Sequence, residues 1–152
     1  MNVKGLDNLI KALKEKPPTA RVGVLGNKAP RIPSEDSGQI PNNAEVGVVH
    51  EFGNSEHPQR SFLRIPISEN LQDYMEKSGA LDKETTNEVV KNGSVVPWLK
   101  KIAVLAEGIV LDAFDSGGFG KWKPSNMKFK KNQQTLVETQ QLRNSITSEV
   151  KS

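Results

Sequence analysis

The chain has 152 residues, enough for one domain (1–152) with a modest core. Only 35% of residues are hydrophobic and 5% aromatic against 26% charged, so partner subunits are expected to supply part of the stability. A net charge of +3 is too even for a protein with a broad nucleic-acid-binding face, and the lack of cysteine excludes disulfides, thiolate chemistry and cysteine-ligated zinc.

Val3, Leu6, Leu9, Ile10 and Leu13 fall on one face of a helix, and Pro17-Pro18 stops it because neither proline donates a backbone hydrogen bond. This opening is amphipathic and carries no unbroken apolar run, so a signal peptide is not expected. No stretch approaches the roughly 20 apolar residues of a membrane span, and the expected setting is a cytoplasm. Ala20 to Gly26 reads as a short strand. Residues 27–43 hold Pro30, Pro33, Gly38 and Pro41 and are expected to form a long mobile loop.

Asn42-Asn43-Ala44-Glu45 has the form of a helix start, an Asn cap with Glu three residues later. Val48, Val49 and Phe52 continue it and Gly53 closes it, although Glu45 to Glu51 is also strand-prone; the helix is preferred. Ser61 to Ile67 is an apolar patch interrupted by Pro66, with Ser68 as the cap of a helix running to Lys77. Lys83 to Val90 is expected to add a further helical piece. The strongest periodicity is Val96, Leu99, Ile102, Ala103, Ala106, Ile109, Val110 and Ala113, with Pro97 in the first turn and an end near residues 115–118. Burying about five of its large side chains contributes on the order of 8–15 kcal/mol before entropy is subtracted. Residues 120–134 read as a basic mobile loop, and Leu142 to Val150 alternates as a terminal strand. The expected fold class is α+β: a small mixed sheet packed against a long central helix and shorter helices, with long extended loops.

Chemistry is sparse in the residue pattern. His50-Glu51 matches the first two positions of a zinc-protease motif, but Asn54 stands where the second histidine belongs. No serine lies in a Gly-x-Ser-x-Gly elbow, and Gly117 to Lys121 lacks the spacing of a phosphate loop. Asp112 and Asp115, three apart at a helix end, read as a solvated face. No catalytic residue, metal ligand or cofactor is assigned. The lysines at 121, 123, 128, 130 and 131, interleaved with Trp122 and Phe129, support an alternative reading as a small nucleic-acid-binding module, since the aromatics offer stacking surfaces.

Two regions carry a family resemblance. The first is His50-Glu51-Phe52-Gly53 followed by Pro58-Gln59-Arg60-Ser61-Phe62-Leu63-Arg64. The second is Ala113 to Gly118, then Trp122-Lys123-Pro124, then Leu136-Val137-Glu138-Thr139-Gln140-Gln141-Leu142-Arg143-Asn144-Ser145-Ile146. In order and spacing, over roughly residues 44 to 150, they resemble the tail-completion or virion-morphogenesis proteins of tailed bacteriophages. The chain departs from that pattern at Gln140, where the family has glycine, at Ser125, where it has leucine, and across Asn126 to Gln134.

The resemblance implies a non-enzymatic structural subunit of the virion at the head–tail junction or top of the tail, made in the host cytoplasm. It also implies a homo-oligomeric, six-fold ring that contacts other neck and tail proteins, with DNA in the channel lumen as a further contact and no membrane. A tail terminator or other minor tail protein is the alternative within the same class. A ring needs one surface to meet a different surface on the neighbour. As interface residues we consider Phe62, Leu63 and Arg64, with Arg60 making a charge-assisted bond, Trp122 with Pro124 as a second anchor, and Arg143. The plain reading of Phe62 and Leu63 is core packing, that of Trp122 a lid on the long helix, and that of Arg143 an ion pair.

Overall fold

A 21-residue helix, Val96–Ser116, carries the core of the computed structural model, which describes residues 3–26, 29–30, 41–117 and 140–152. In chain order the elements are α1 (Val3–Glu15), β1 (Thr19–Val24), α2 (Asn43–Phe52), α3 (Arg64–Lys77), α4 (Lys83–Asn92), α5 (Val96–Ser116), α6 (Gln141–Asn144) and β2 (Ile146–Lys151). The fold is α+β. Its described strands pair antiparallel, from Thr19 opposite Lys151 to Val24 opposite Ile146. The terminal strand expected from Leu142 therefore starts at Ile146, because α6 takes the preceding turn.

The periodicity of α5 is the periodicity of its burial. Ala103, Ala106, Ile109, Val110 and Phe114 are buried, and the last two are fully enclosed. Phe114 meets Phe62 with ring centroids 5.1 Å apart, and Leu142 and Ile146 complete the cluster. Val22 and Val24 come in from β1, and Ser148 of β2 donates to Glu107 of α5 at 2.6 Å, which ties the sheet across the helix. Full burial of Phe114 and Val110 contributes about 1.5–3 kcal/mol each.

Elsewhere the packing is thinner. α1 lies against α4, burying Gly5 and Leu9, but Val3, Ile10 and Leu13 on the same apolar face stay exposed. The Trp98 indole N–H donates to the Ala80 carbonyl at 2.8 Å and pins the α3–α4 turn to α5. No helix among the described residues is long and apolar enough to cross a membrane.

α2 begins as its local signals predict: Asn42 accepts from the Glu45 N–H at 3.0 Å, and Glu45 accepts from the Asn42 N–H at 2.8 Å. α3 does not begin where expected. It starts at Arg64, with Pro66 in a first turn where a missing N–H costs nothing. Ser68, expected as its cap, instead donates to the Ile65 carbonyl from inside the helix.

Two positive-φ positions test the backbone. Gly53 ends α2 at φ 72°, ψ 173°, and a Cβ there would lie 2.7 Å from the Gln59 nitrogen. Gln140, at the entry to α6, has φ 55°, ψ 2°, a left-handed conformation that costs an L-residue roughly 1–2 kcal/mol. Gly53→Ala should therefore lower stability by more than about 1 kcal/mol, because strain adds to the clash. Gln140→Gly should raise stability by a few tenths to about 1 kcal/mol, the relief being partly offset by glycine's extra freedom in the unfolded chain. Thermal melts of both variants check the opposite signs.

Candidate functional site

Glu51 stands at the end of α2 with its carboxylate turned inward, 4% exposed. Four donors converge on it: the Ser61 hydroxyl at 2.6 Å, the Leu63 N–H at 3.0 Å, the Arg64 N–H at 3.2 Å and the Arg64 Nε at 3.0 Å. Leu63 makes no side-chain cap of its own. An acidic side chain from another helix thus accepts the orphan N–H groups of α3 and places a negative charge at its positive end. Ser61 adds a second bridge, since its oxygen accepts from the Ile65 N–H at 3.2 Å. The Arg60 N–H donates to the His50 carbonyl at 2.7 Å. The two halves of the first resembling region, 50–53 and 58–64, are therefore joined by hydrogen bonds.

Between them the chain makes a tight excursion. Asn54 Oδ1 accepts from the Glu56 and His57 N–H groups at 2.9 and 2.7 Å and lies 3.1 Å from the His57 ring Nδ1. The residue that breaks the zinc-protease spacing thus organises this turn. Among the described residues no three His, Asp or Glu side chains group so as to hold a metal ion.

The clamp fixes one exposed patch. Phe52 is 58% exposed, Val48 lies one turn earlier at 58%, and the Arg64 guanidinium carbon sits 4.8 Å from the Phe52 ring centroid. Of the residues considered for an interface, Arg64 belongs to this patch. Phe62 does not: it is 2% exposed and packs on Phe114, so it serves the core. Leu63, half-buried, packs against that cluster as its plain reading has it. Arg60 is buried as well, and burial pushes its guanidinium below the usual arginine value. Trp122, Pro124 and the lysine cluster lie outside the described residues, as does most of each expected mobile loop.

Sequence reasoning missed Phe52 and Val48 as surface residues. Their spacing, four apart, places them together on one side of α2, whereas Val46 faces the core. Local pattern did not show which apolar stripe turns inward, because Gly47 approaches Leu142 and Phe62 from distant parts of the chain.

A cleft of about 710 Å3 opens between the start of α3 and the end of α5, lined in part by Arg60, Ile65, Glu69, Tyr74, Ile109 and Asp112. The Tyr74 hydroxyl donates to Asp112 at 2.6 Å, and that bond raises the tyrosine pKa. Arg143 of α6 reaches the end of α5, its Nε and Nη2 donating to the two Asp115 oxygens at 2.9 and 2.7 Å. Its plain reading as an ion pair holds. The two aspartates of the helix end are thus both engaged by side chains.

No family model, curated protein or solved structure matches the chain.

Glu51→Ala should lower stability by about 2–4 kcal/mol, since several donors to a charged acceptor are left without it. Glu51→Gln should be milder, because the amide keeps one acceptor oxygen. Denaturant melts rank the two, and equal stabilities with wild type would remove the clamp. The bond from Arg143 holds the Asp115 carboxyl below its usual range. With the folded value lowered, the contribution is present above the ordinary aspartate value of about 4 and is lost as pH falls through the folded value. Asp115→Asn should melt below wild type near pH 7, and the gap should close by about pH 2.

Proposed function

We propose that the chain is a non-enzymatic structural subunit of a tailed-phage virion, assembling as a ring at the head–tail junction or top of the tail after synthesis in the host cytoplasm. The observation that carries this reading is the Phe52–Val48–Arg64 patch: an exposed aromatic on a helix, stacked by arginine and held by a buried carboxylate. Rigid aromatic and arginine side chains are the usual anchors of protein–protein contacts. Nothing in the folding of the monomer requires Phe52 to be aromatic, since more than half of it faces solvent. Other large apolar side chains lie exposed singly on other elements, Val3 and Ile10 on α1 and Val104 on α5, and the reading does not rest on them.

The resemblance supplies the setting, and two local features support it. Its first region is one hydrogen-bonded unit around Glu51. At Gln140, where the family pattern has glycine, the backbone takes a conformation that favours glycine.

Light scattering and negative-stain imaging of the purified protein, alone and with phage neck or tail complexes, test the reading. Wild type should form closed rings or add to such complexes. Phe52→Ala should raise the concentration needed for assembly by about tenfold or more while leaving the melt nearly unchanged. Assembly of Phe52→Ala at the wild-type concentration would discard the patch. A wild type that stays monomeric and ignores every neck and tail complex would discard the role.

A further inference from the structure

We propose that neighbouring copies join head to tail, the Lys100–Lys101–Val104 surface of one seating in the Ile65–Glu69–Asp112 cleft of the next; this rests on the ring reading above. α3 and α5 run antiparallel, so the start of α3 lies beside the end of α5, where the cleft is, and Ser78 at the far end of α3 lies beside the first half of α5. There a second hollow of about 480 Å3 is lined by Ser78, Lys100, Lys101, Val104 and Leu105. The two surfaces occupy opposite ends of one rigid helix pair, roughly 15 Å apart along α5 at 1.5 Å per residue.

Their chemistry is complementary. The first carries two lysines and Val104, which at 64% is the most exposed large apolar side chain among the described residues. The second carries Glu69 and Asp112 around apolar Ile65, Pro66 and Ile109, and its one cation, Arg60, is buried beneath. Among the described residues Lys100 and Lys101 pair with no carboxylate and Glu69 pairs with no cation. Val104 therefore has an apolar floor to meet while both lysines face carboxylates. The same charges set lysines against lysines, or carboxylates against carboxylates, if either surface meets its own copy, which disfavours a contact built on one of the two surfaces alone. A contact between unlike surfaces is the kind that propagates around a ring.

The chain has no cysteine, which makes cross-linking specific. Val104→Cys and Ile65→Cys, both at exposed positions, are treated with a short bis-maleimide separately, mixed, and combined in one chain. Each single variant should stay monomeric on a denaturing gel, the mixture should give a dimer, and the double variant a ladder. Assembled protein without a mixed dimer, or with Val104→Cys dimerising alone, overturns the pairing and leaves the ring reading standing. A ladder in material that images as open filaments keeps the pairing and overturns the ring. Neither ladder nor assembly overturns both. Charge reversal gives an independent check: Lys101→Glu and Glu69→Lys should each raise the assembly concentration by about tenfold, and an equimolar mixture should restore it because each reversed surface then faces its complement. A mixture no better than either variant would overturn the pairing.

Discussion

The buried carboxylate of Glu51 is the interaction on which the joining of α2 to α3 depends. α3 starts without a cap of its own, and its first turn would otherwise present unpaired N–H groups and an uncompensated positive dipole end. Glu51 reaches from α2 and accepts from Ser61, Leu63 and Arg64 at once. Four donors around one anion offset the cost of taking that charge out of water, which an isolated buried carboxylate could not bear. Capping from outside also fixes the angle between α2 and α3. That angle decides that Phe62 and Leu63 turn into the core while Arg64 turns out over Phe52.

The arrangement divides the apolar residues into two groups. Phe62, Val110, Phe114, Leu142 and Ile146 form a dense cluster where α5 meets the sheet and α6. Around it, Val3, Ile10, Leu13, Val48, Phe52 and Val104 stay in solvent. Single exposed apolar residues need no explanation, but an i, i+4 pair with an arginine over its ring is a formed surface. The small core and the generous exposed apolar surface follow from the same composition: a chain with few aromatics that leaves Phe52 outside has one ring fewer to fill its core.

What was legible in the sequence was whatever is decided within one turn of a helix. The Asn42–Glu45 capping box, the proline stop after α1 and the inward stripe of α5 depend on neighbours three or four residues away, and each stands as expected. The start of α3 was not legible, because its cap comes from 13 residues earlier and no local signal marks Leu63 as an N-cap. Ser68 looked like the cap only because serine often is one. For α2 the apolar spacing showed a helix but not its orientation, which contacts with Leu142 and Phe62 decide. Phe114 was absent from the predicted core stripe, yet it is fully enclosed, because the ring from Phe62 arrives through the Glu51 clamp.

The residues that carry the resemblance can therefore be sorted by the physical job each does. Glu51 caps a helix, Gly53 avoids a clash with Gln59, Phe62, Leu142 and Ile146 fill the core, and Arg143 is matched by Asp115. Each of these jobs is internal to the fold, so a protein could keep them all and still have no partner. Phe52 and Arg64, within those segments, combine an aromatic ring and a guanidinium with solvent exposure. They are adjacent in space because the clamp brings 51–53 and 61–64 together, so the patch is a product of the same hydrogen bonds that start α3. Stability and the form of this surface are thus coupled: a change that loosens Glu51 also separates the arginine from the ring it covers. Within these segments the other residues bear on the patch by keeping those two side chains in place.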